Sequence, residues 1–108
     1  TLHYDEPDVE GYVREVAPAR TFATLAEALQ MQQAGMFSHL REGDTLVIGP
    51  DGPLGGPYRL PEEPARHKLL DLLGDLSLAG RPIIGRVVAN QSGHAMNHEL
   101  AAALVGAF

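Results

Sequence analysis

His67, Asp71 and Asp75 recur at i, i+4 and i+8 within the stretch Arg66-His67-Lys68-Leu69-Leu70-Asp71-Leu72-Leu73-Gly74-Asp75-Leu76. On a helix turning roughly 100° per residue they fall within an arc of about 80°. An imidazole and a carboxylate one turn apart can both reach a single metal ion. A second carboxylate one turn further on is placed for a supporting role. A second polar cluster, Ser92-Gly93-His94-Ala95-Met96-Asn97-His98, follows about twenty residues later. The chain has no cysteine, so disulfides and thiolate metal sites are excluded and His and carboxylates remain as the strong ligands. Each cluster also has a plain reading. A His and an Asp at i, i+4 are more often a solvated pair than ligands. Ser92-Gly93 before a helix is more often only a cap and a turn. His3, His39 and His98 have no partner at ligand spacing and read as surface residues.

The elements that must position these groups can be read from periodicity. Leu69, Leu70, Leu72, Leu73 and Leu76 occupy the other side of the helix that carries His67. Pro61 suits the start of that helix, which is expected to run to Gly80. Thr1 to Asp5 alternates and reads as a strand. Val9, Tyr12, Val13 and Val16 recur at helical spacing and predict a short helix that stops near Pro18. Arg20-Thr21-Phe22 reads as a short strand. Thr24 is expected to N-cap a helix through Leu25, Leu29 and Met31 that stops at Gly35. Thr45 to Gly49 reads as a buried strand. Pro50-Asp51-Gly52-Pro53 and Gly55-Gly56-Pro57 read as turns. Pro82 to Ala89 is rich in Ile and Val and reads as a strand. Ser92 is expected to cap a last helix through Leu104. The mixed order predicts an α+β fold, a two-layer sandwich of a small mixed sheet covered on one side by helices at about 24–34, 62–79 and 93–104.

Composition narrows the class of function. One domain of 108 residues buries roughly two thirds of the surface that its unfolded chain exposes, enough for one modest core. A net charge of −6 with eight Lys plus Arg excludes a nucleic-acid footprint. The Asp5, Glu6, Asp8, Glu10 cluster reads as a solvated face. No apolar run approaches the ~20 residues of a transmembrane helix. No charged start followed by an apolar run marks a signal peptide. The chain begins with Thr1, which suggests a piece of something longer.

Three motifs together carry a family resemblance. They are Ala17-Pro18-Ala19-Arg20-Thr21-Phe22, the stretch Arg66 to Leu76, and Ser92-Gly93-His94-Ala95-Met96-Asn97. In these motifs, their order and their separations, nearly the whole chain resembles the C-terminal domain of the UDP-3-O-acyl-N-acetylglucosamine deacetylases, zinc amidases of lipid A biosynthesis. The resemblance implies a two-domain enzyme, each domain a layer of helices on a small sheet. The absent N-terminal domain would supply a third zinc-binding His and the glutamate that acts as general base. The resemblance further implies that His67 and Asp71 are zinc ligands, and that Asp75 orients and charges His94. His94, as imidazolium, would stabilise the oxyanion or protonate the leaving amine. Thr21 would place its hydroxyl near the scissile carbonyl. Lys68 would contact the polar part of the substrate, and Phe22 would stack on the sugar or line the acyl route. Leu25, Leu29, Met31, Met36 and Phe37 fall where the family inserts an acyl passage. On periodicity they are equally a helix packing on a sheet.

The chemistry agrees with these roles. Amide hydrolysis at neutral pH needs an activated water and a stabilised tetrahedral oxyanion. Zinc lowers the pKa of bound water to about 7 and polarises the carbonyl. A carboxylate beside a His favours the imidazolium form. The expected activity is therefore half of a zinc-dependent deacetylase acting on an acylated UDP-amino sugar, inactive as an isolated domain. The expected location is cytoplasmic, without a transmembrane segment, and at most peripheral at the inner membrane face. Two rivals stand beside it. One is a divergent zinc amidase with another substrate. The other is a non-catalytic module of the same fold that binds a nucleotide sugar or a partner protein. The acidic and imidazole groups at His67, Asp71, Asp75 and His94 are expected on one face, with Thr21 opening onto it.

Overall fold

The computed structural model describes residues 2, 4–5, 9–35, 43–83 and 85–107. The order of elements is α1 (Val9–Glu15), β1 (Phe22–Thr24), α2 (Leu25–Gln33), β2 (Leu46–Gly49), β3 (Gly52–Pro53), α3 (Glu63–Leu76), a 3₁₀ turn (Ser77–Ala79) and α4 (His94–Ala107). The expected α+β class holds: a small mixed sheet in the order β1-β2-β3 accompanies four helices. The chain forms two compact units, Thr1–His67 and Lys68–Phe108, and α3 runs through the boundary.

The first unit contains the sheet. β1 and β2 pair in parallel with Phe22 opposite Leu46 and Thr24 opposite Ile48. Parallel neighbours need a crossover, and α2 supplies it while packing on both strands. A full capping box starts α2. Glu27 N–H donates to Thr24 Oγ1 at 3.2 Å, and Thr24 N–H donates to Glu27 Oε1 at 3.2 Å. Gly35, at φ 76°, ends the run as expected. β2 turns through Pro50-Asp51 into β3, with Gly49 opposite Gly52. That short strand lies within the stretch read as turns. Gly52 adopts φ 129°, a conformation open to glycine but costly for other residues. Val16, Ala19, Ala23 and Leu46 form the apolar core of this unit.

A polar group shares that core. Glu63, in the first turn of α3, is 0 % exposed. Its carboxylate accepts from Arg20 N–H at 2.9 Å, Arg20 Nε at 2.8 Å, Arg20 Nη2 at 3.1 Å and Arg59 N–H at 2.8 Å. These bonds compensate the removal of the ion pair from water. The Arg20 guanidinium holds the Glu63 carboxyl well below the carboxylate range, at about 2, against the opposing effect of burial.

In the second unit α4 packs on the 3₁₀ turn, with Leu76, Ala79 and Ala101 buried. Gly80, at φ 74°, closes that turn through its N–H to the Ser77 carbonyl at 3.1 Å. The helix expected from Pro61 to Gly80 is thus an α-helix that tightens in its last turn. The last helix starts at His94, and it continues to Ala107 rather than Leu104.

Three readings are corrected. The strand expected over 20–22 is β1 at Phe22–Thr24, because Arg20 is held by Glu63 and pairing begins only beyond it. No strand forms among the described residues of 82–89. Val88 is 83 % exposed there, and a β-branched composition gives no ladder without a neighbouring strand. Of the strand expected over 1–5, Thr1 and His3 lie outside the described residues, and Leu2, Tyr4 and Asp5 are not in a strand.

Two stability predictions follow from these contacts. Glu63→Gln leaves Arg20 without its counter-charge and is expected to cost roughly 3–5 kcal/mol in urea unfolding at pH 7. The Glu63 pKa is 4.5 when unperturbed and about 2 in the fold, so its contribution is complete above about pH 5. It fades as pH falls toward 2. The gap between wild type and Glu63→Gln should therefore narrow between pH 5 and pH 2. Thr24→Ala removes the α2 cap and should lower stability by about 1 kcal/mol in the same measurement.

Candidate active site

The helix α3 supplies His67, Asp71 and Asp75 on successive turns, as the spacing predicts. In the first unit His67 is fixed by two neighbours. Its Nδ1 lies 3.1 Å from the Ala19 carbonyl oxygen, and the Phe22 ring meets it edge-on with centroids 6.3 Å apart. A carbonyl only accepts, so the neutral ring carries its proton on Nδ1 and its lone pair on Nε2. That is the usual preparation of a metal-binding imidazole. Thr21 precedes β1 with an exposed side chain, and its carbonyl accepts from Leu46 N–H at 2.9 Å. Thr21, Phe22 and His67 are thus set by one network of strand pairing and helix contact.

The second unit holds a compact polar cluster around Asp75. His94 Nδ1 lies 2.6 Å from Asp75 Oδ2, and His94 Nε2 lies 3.8 Å from Asp71 Oδ2. Asn97 Nδ2 donates to the same Asp75 oxygen at 3.0 Å. His98 Nε2 reaches the other oxygen, Oδ1, at 3.2 Å. The backbone makes this possible by turning sharply into α4. Gln91 adopts φ 50°, and Asn97 N–H bonds the Gly93 carbonyl at 3.0 Å to open the helix. His94, Asn97 and His98 then face Asp75 from the first turn and a half of α4.

Charge in this cluster is arranged in one direction. The hydrogen bond from Asn97 leads those that hold the Asp75 carboxyl below its ordinary range, with His94 and His98 adding to it. The hydrogen bond to Asp75 and the charges of Asp75 and Asp71 raise the His94 pKa, opposed by slight burial and by the Lys68 charge. The His94 side chain is 64 % exposed, so the ring is open to incoming groups. Lys68 is also exposed.

The donor set can be tested for a metal. Asp75, His94 and His98 each offer a ligand atom within 4.8 Å of the others, the group of this kind found among the described residues. Those atoms are already engaged with one another as N–H donors and a carboxylate acceptor. A metal at that point would have to displace both imidazole protons. His67 and Asp71 offer donors of the same two kinds. The Ala19 carbonyl leaves the His67 lone pair on Nε2, and Asp71 brings a carboxylate one turn away. Imidazole nitrogen and carboxylate oxygen are both zinc donors, so each of these residues is of a type that zinc takes.

Sequence reasoning placed Asp75 beside His94, and the structure places them at 2.6 Å. It read His98 as a surface residue with no partner at ligand spacing; the ring is exposed, as read, but its contact with Asp75 supplies a partner. The signal was present: His94, Asn97 and His98 share one helical face at i, i+3 and i+4. His3 and His39 lie outside the described residues. The Arg20–Glu63 pair was missed because nothing local links residues 43 apart in sequence.

Comparison with known proteins agrees with the motifs. Residues 3–106 match the family model of UDP-3-O-acyl N-acetylglycosamine deacetylase. A UDP-3-O-acyl-N-acetylglucosamine deacetylase of Chlamydia trachomatis serovar D is 42% identical over 89 residues, covering 82% of this chain and 31% of the relative. The Synechocystis protein of the same name is 42% identical over 96 residues, covering 89% and 35%. That of Myxococcus xanthus is 33% identical over 117 residues, covering 93% and 36%. The chain spans about a third of the length of the curated relatives that it matches. No helix among the described residues is long and apolar enough to cross a membrane. On the family match and these identities, the chain belongs to the UDP-3-O-acyl-N-acetylglucosamine deacetylase family.

Proposed function

We propose that this domain is the acid-bearing half of a zinc-dependent amidase that removes the N-acetyl group from UDP-3-O-acyl-N-acetylglucosamine in lipid A biosynthesis. The observation that carries the reading is the His94–Asp75 contact at 2.6 Å, with Asp71 beside the same ring, in a chain of this family. His67 and Asp71 would hold the zinc. A bound zinc supplies a Lewis acid for the amide carbonyl and lowers the pKa of the attacking water. The base and the third ligand come from the N-terminal domain of the same enzyme, so the isolated chain is inactive. The setting is the cytoplasm, at the inner membrane face, where an acylated substrate is met.

The residues divide the work. Asp75 accepts a hydrogen bond from His94 Nδ1–H, which fixes the ring and favours its charged form. His94 Nε2 then holds a proton for the leaving amine, or faces the developing oxyanion as a cation. The Thr21 hydroxyl donates toward the scissile carbonyl. Lys68 meets the polar part of the substrate, and Phe22 lies against the sugar or the acyl route. Leu25 and Leu29, both exposed on α2, suit the acyl chain.

Two experiments test this reading. In the complete enzyme, His67→Ala and Asp71→Ala should lower zinc content and turnover together. The isolated chain should bind zinc weakly by calorimetry, and joining the N-terminal domain should tighten binding many-fold. Tight stoichiometric zinc in both single variants would remove His67 and Asp71 from the ligand set. His94→Ala should retain zinc and lose turnover by about 10²–10³-fold. Asp75→Asn should reproduce part of that loss. Wild-type turnover in zinc-loaded His94→Ala would leave His94 with only a structural place at the start of α4.

A further inference from the structure

Asp75 can support His94 only if its own carboxylate is held still. A carboxylate on a short side chain rotates about its last torsion unless both oxygens are engaged. In this structure both are. Oδ2 takes His94 Nδ1 at 2.6 Å and Asn97 Nδ2 at 3.0 Å, while Oδ1 takes His98 Nε2 at 3.2 Å. We infer that Asn97 and His98 are positioning residues that clamp the Asp75 carboxylate from its two sides and so fix the orientation of His94. The inference rests on the proposed deacetylase reading for its kinetic consequence, though not for its geometry.

The two clamping groups differ in kind. Asn97 is 3 % exposed, and a buried amide with a directed donor is unlike the apolar residues that otherwise line the inner side of a helix. Its presence costs desolvation, which its bond to a charged acceptor offsets. The second donor, His98, is more than half exposed and lies on the rim. Loss of Asn97 should therefore free the Oδ2 side and weaken the His94 contact. Loss of His98 should leave the carboxylate hinged on one oxygen. The two imidazoles lie with ring centroids 6.1 Å apart, tilted 38° to each other.

The test uses the complete zinc-loaded enzyme that carries this domain. Asn97→Ala should lower kcat by about tenfold, the order expected for one hydrogen bond to a charged group, with KM unchanged. His98→Ala, a surface change that leaves the fold intact, should lower kcat less, by about threefold, again with KM unchanged. His98→Gln returns an N–H donor at nearly the same reach and should restore most of that loss. Proton NMR supplies a readout independent of turnover. The low-field His94 Nδ1–H resonance, assigned by its absence in His94→Ala, should broaden in Asn97→Ala and His98→Ala and sharpen again in His98→Gln. Unchanged kcat and an unchanged resonance in both alanine variants would overturn the clamp. So would a rise in KM with kcat retained, which would make these residues substrate contacts. If the wild-type enzyme lacks deacetylase activity while the resonance responds as stated, the clamp stands and the proposed reaction falls.

Discussion

A carboxylate shut away from water must have its lone pairs directed at donors, and Glu63 meets this requirement by drawing one distant segment and the chain just before it onto the first turn of α3. Arg20 approaches with its backbone N–H and its guanidinium, and Arg59 with its backbone N–H. The consequence reaches the candidate site one turn later. Ala19, the residue before Arg20, places its carbonyl 3.1 Å from His67 Nδ1. Glu63 and His67 are four apart, so residues 19 and 20 are laid along α3 as two rungs of one ladder. The first rung is an ion pair and the second fixes an imidazole tautomer. Phe22 then enters β1 with its ring against His67. The strand, the helix and the candidate ligand are therefore fixed by the same short run of residues.

The second unit solves the mirror problem. There the anion is Asp75, and the donors come from one helix start rather than from loops. The N-terminal turn of a helix favours a nearby negative charge, because its first N–H groups have no partners within the helix. His94, Asn97 and His98 add side-chain donors to that field on one face. A sharp approach through Gln91 at φ 50° brings α4 into place, a conformation that a non-glycine residue adopts only when its surroundings enforce it.

What could be read from the sequence was what is local. Thr24 capped α2 because an ST-type oxygen three residues before a Glu has few better partners. Gly35 and Gly80 stopped helices because left-handed φ is cheap for glycine alone. The spacing of His67, Asp71 and Asp75 survived because α3 is unbroken. The pairing of Asp75 with His94 came from the family resemblance, since no local rule joins residues nineteen apart. What could not be read was non-local or conditional. Glu63 is a buried acid whose partner, Arg20, lies 43 residues away in sequence. The Ile and Val content of 82–89 suggested a strand, yet a strand exists only beside another strand.

The order of residues along α3 carries the last step. Glu63, His67, Asp71 and Asp75 are each four apart, so one polar stripe runs the length of the helix and drifts by about 40° per step. Its first member anchors the helix by a buried ion pair, and its last is the acceptor for the α4 donors. The two between them are the proposed zinc ligands. This arrangement reserves one face of the helix for polar groups, while the leucines on its other side are mostly half-buried. It also limits what the helix can do alone. Two ligands on adjacent turns approach a metal from one side only, and a tetrahedral ion needs donors from elsewhere. On the proposed reading, the remaining two thirds of the relatives' length is where those donors and the general base would be found.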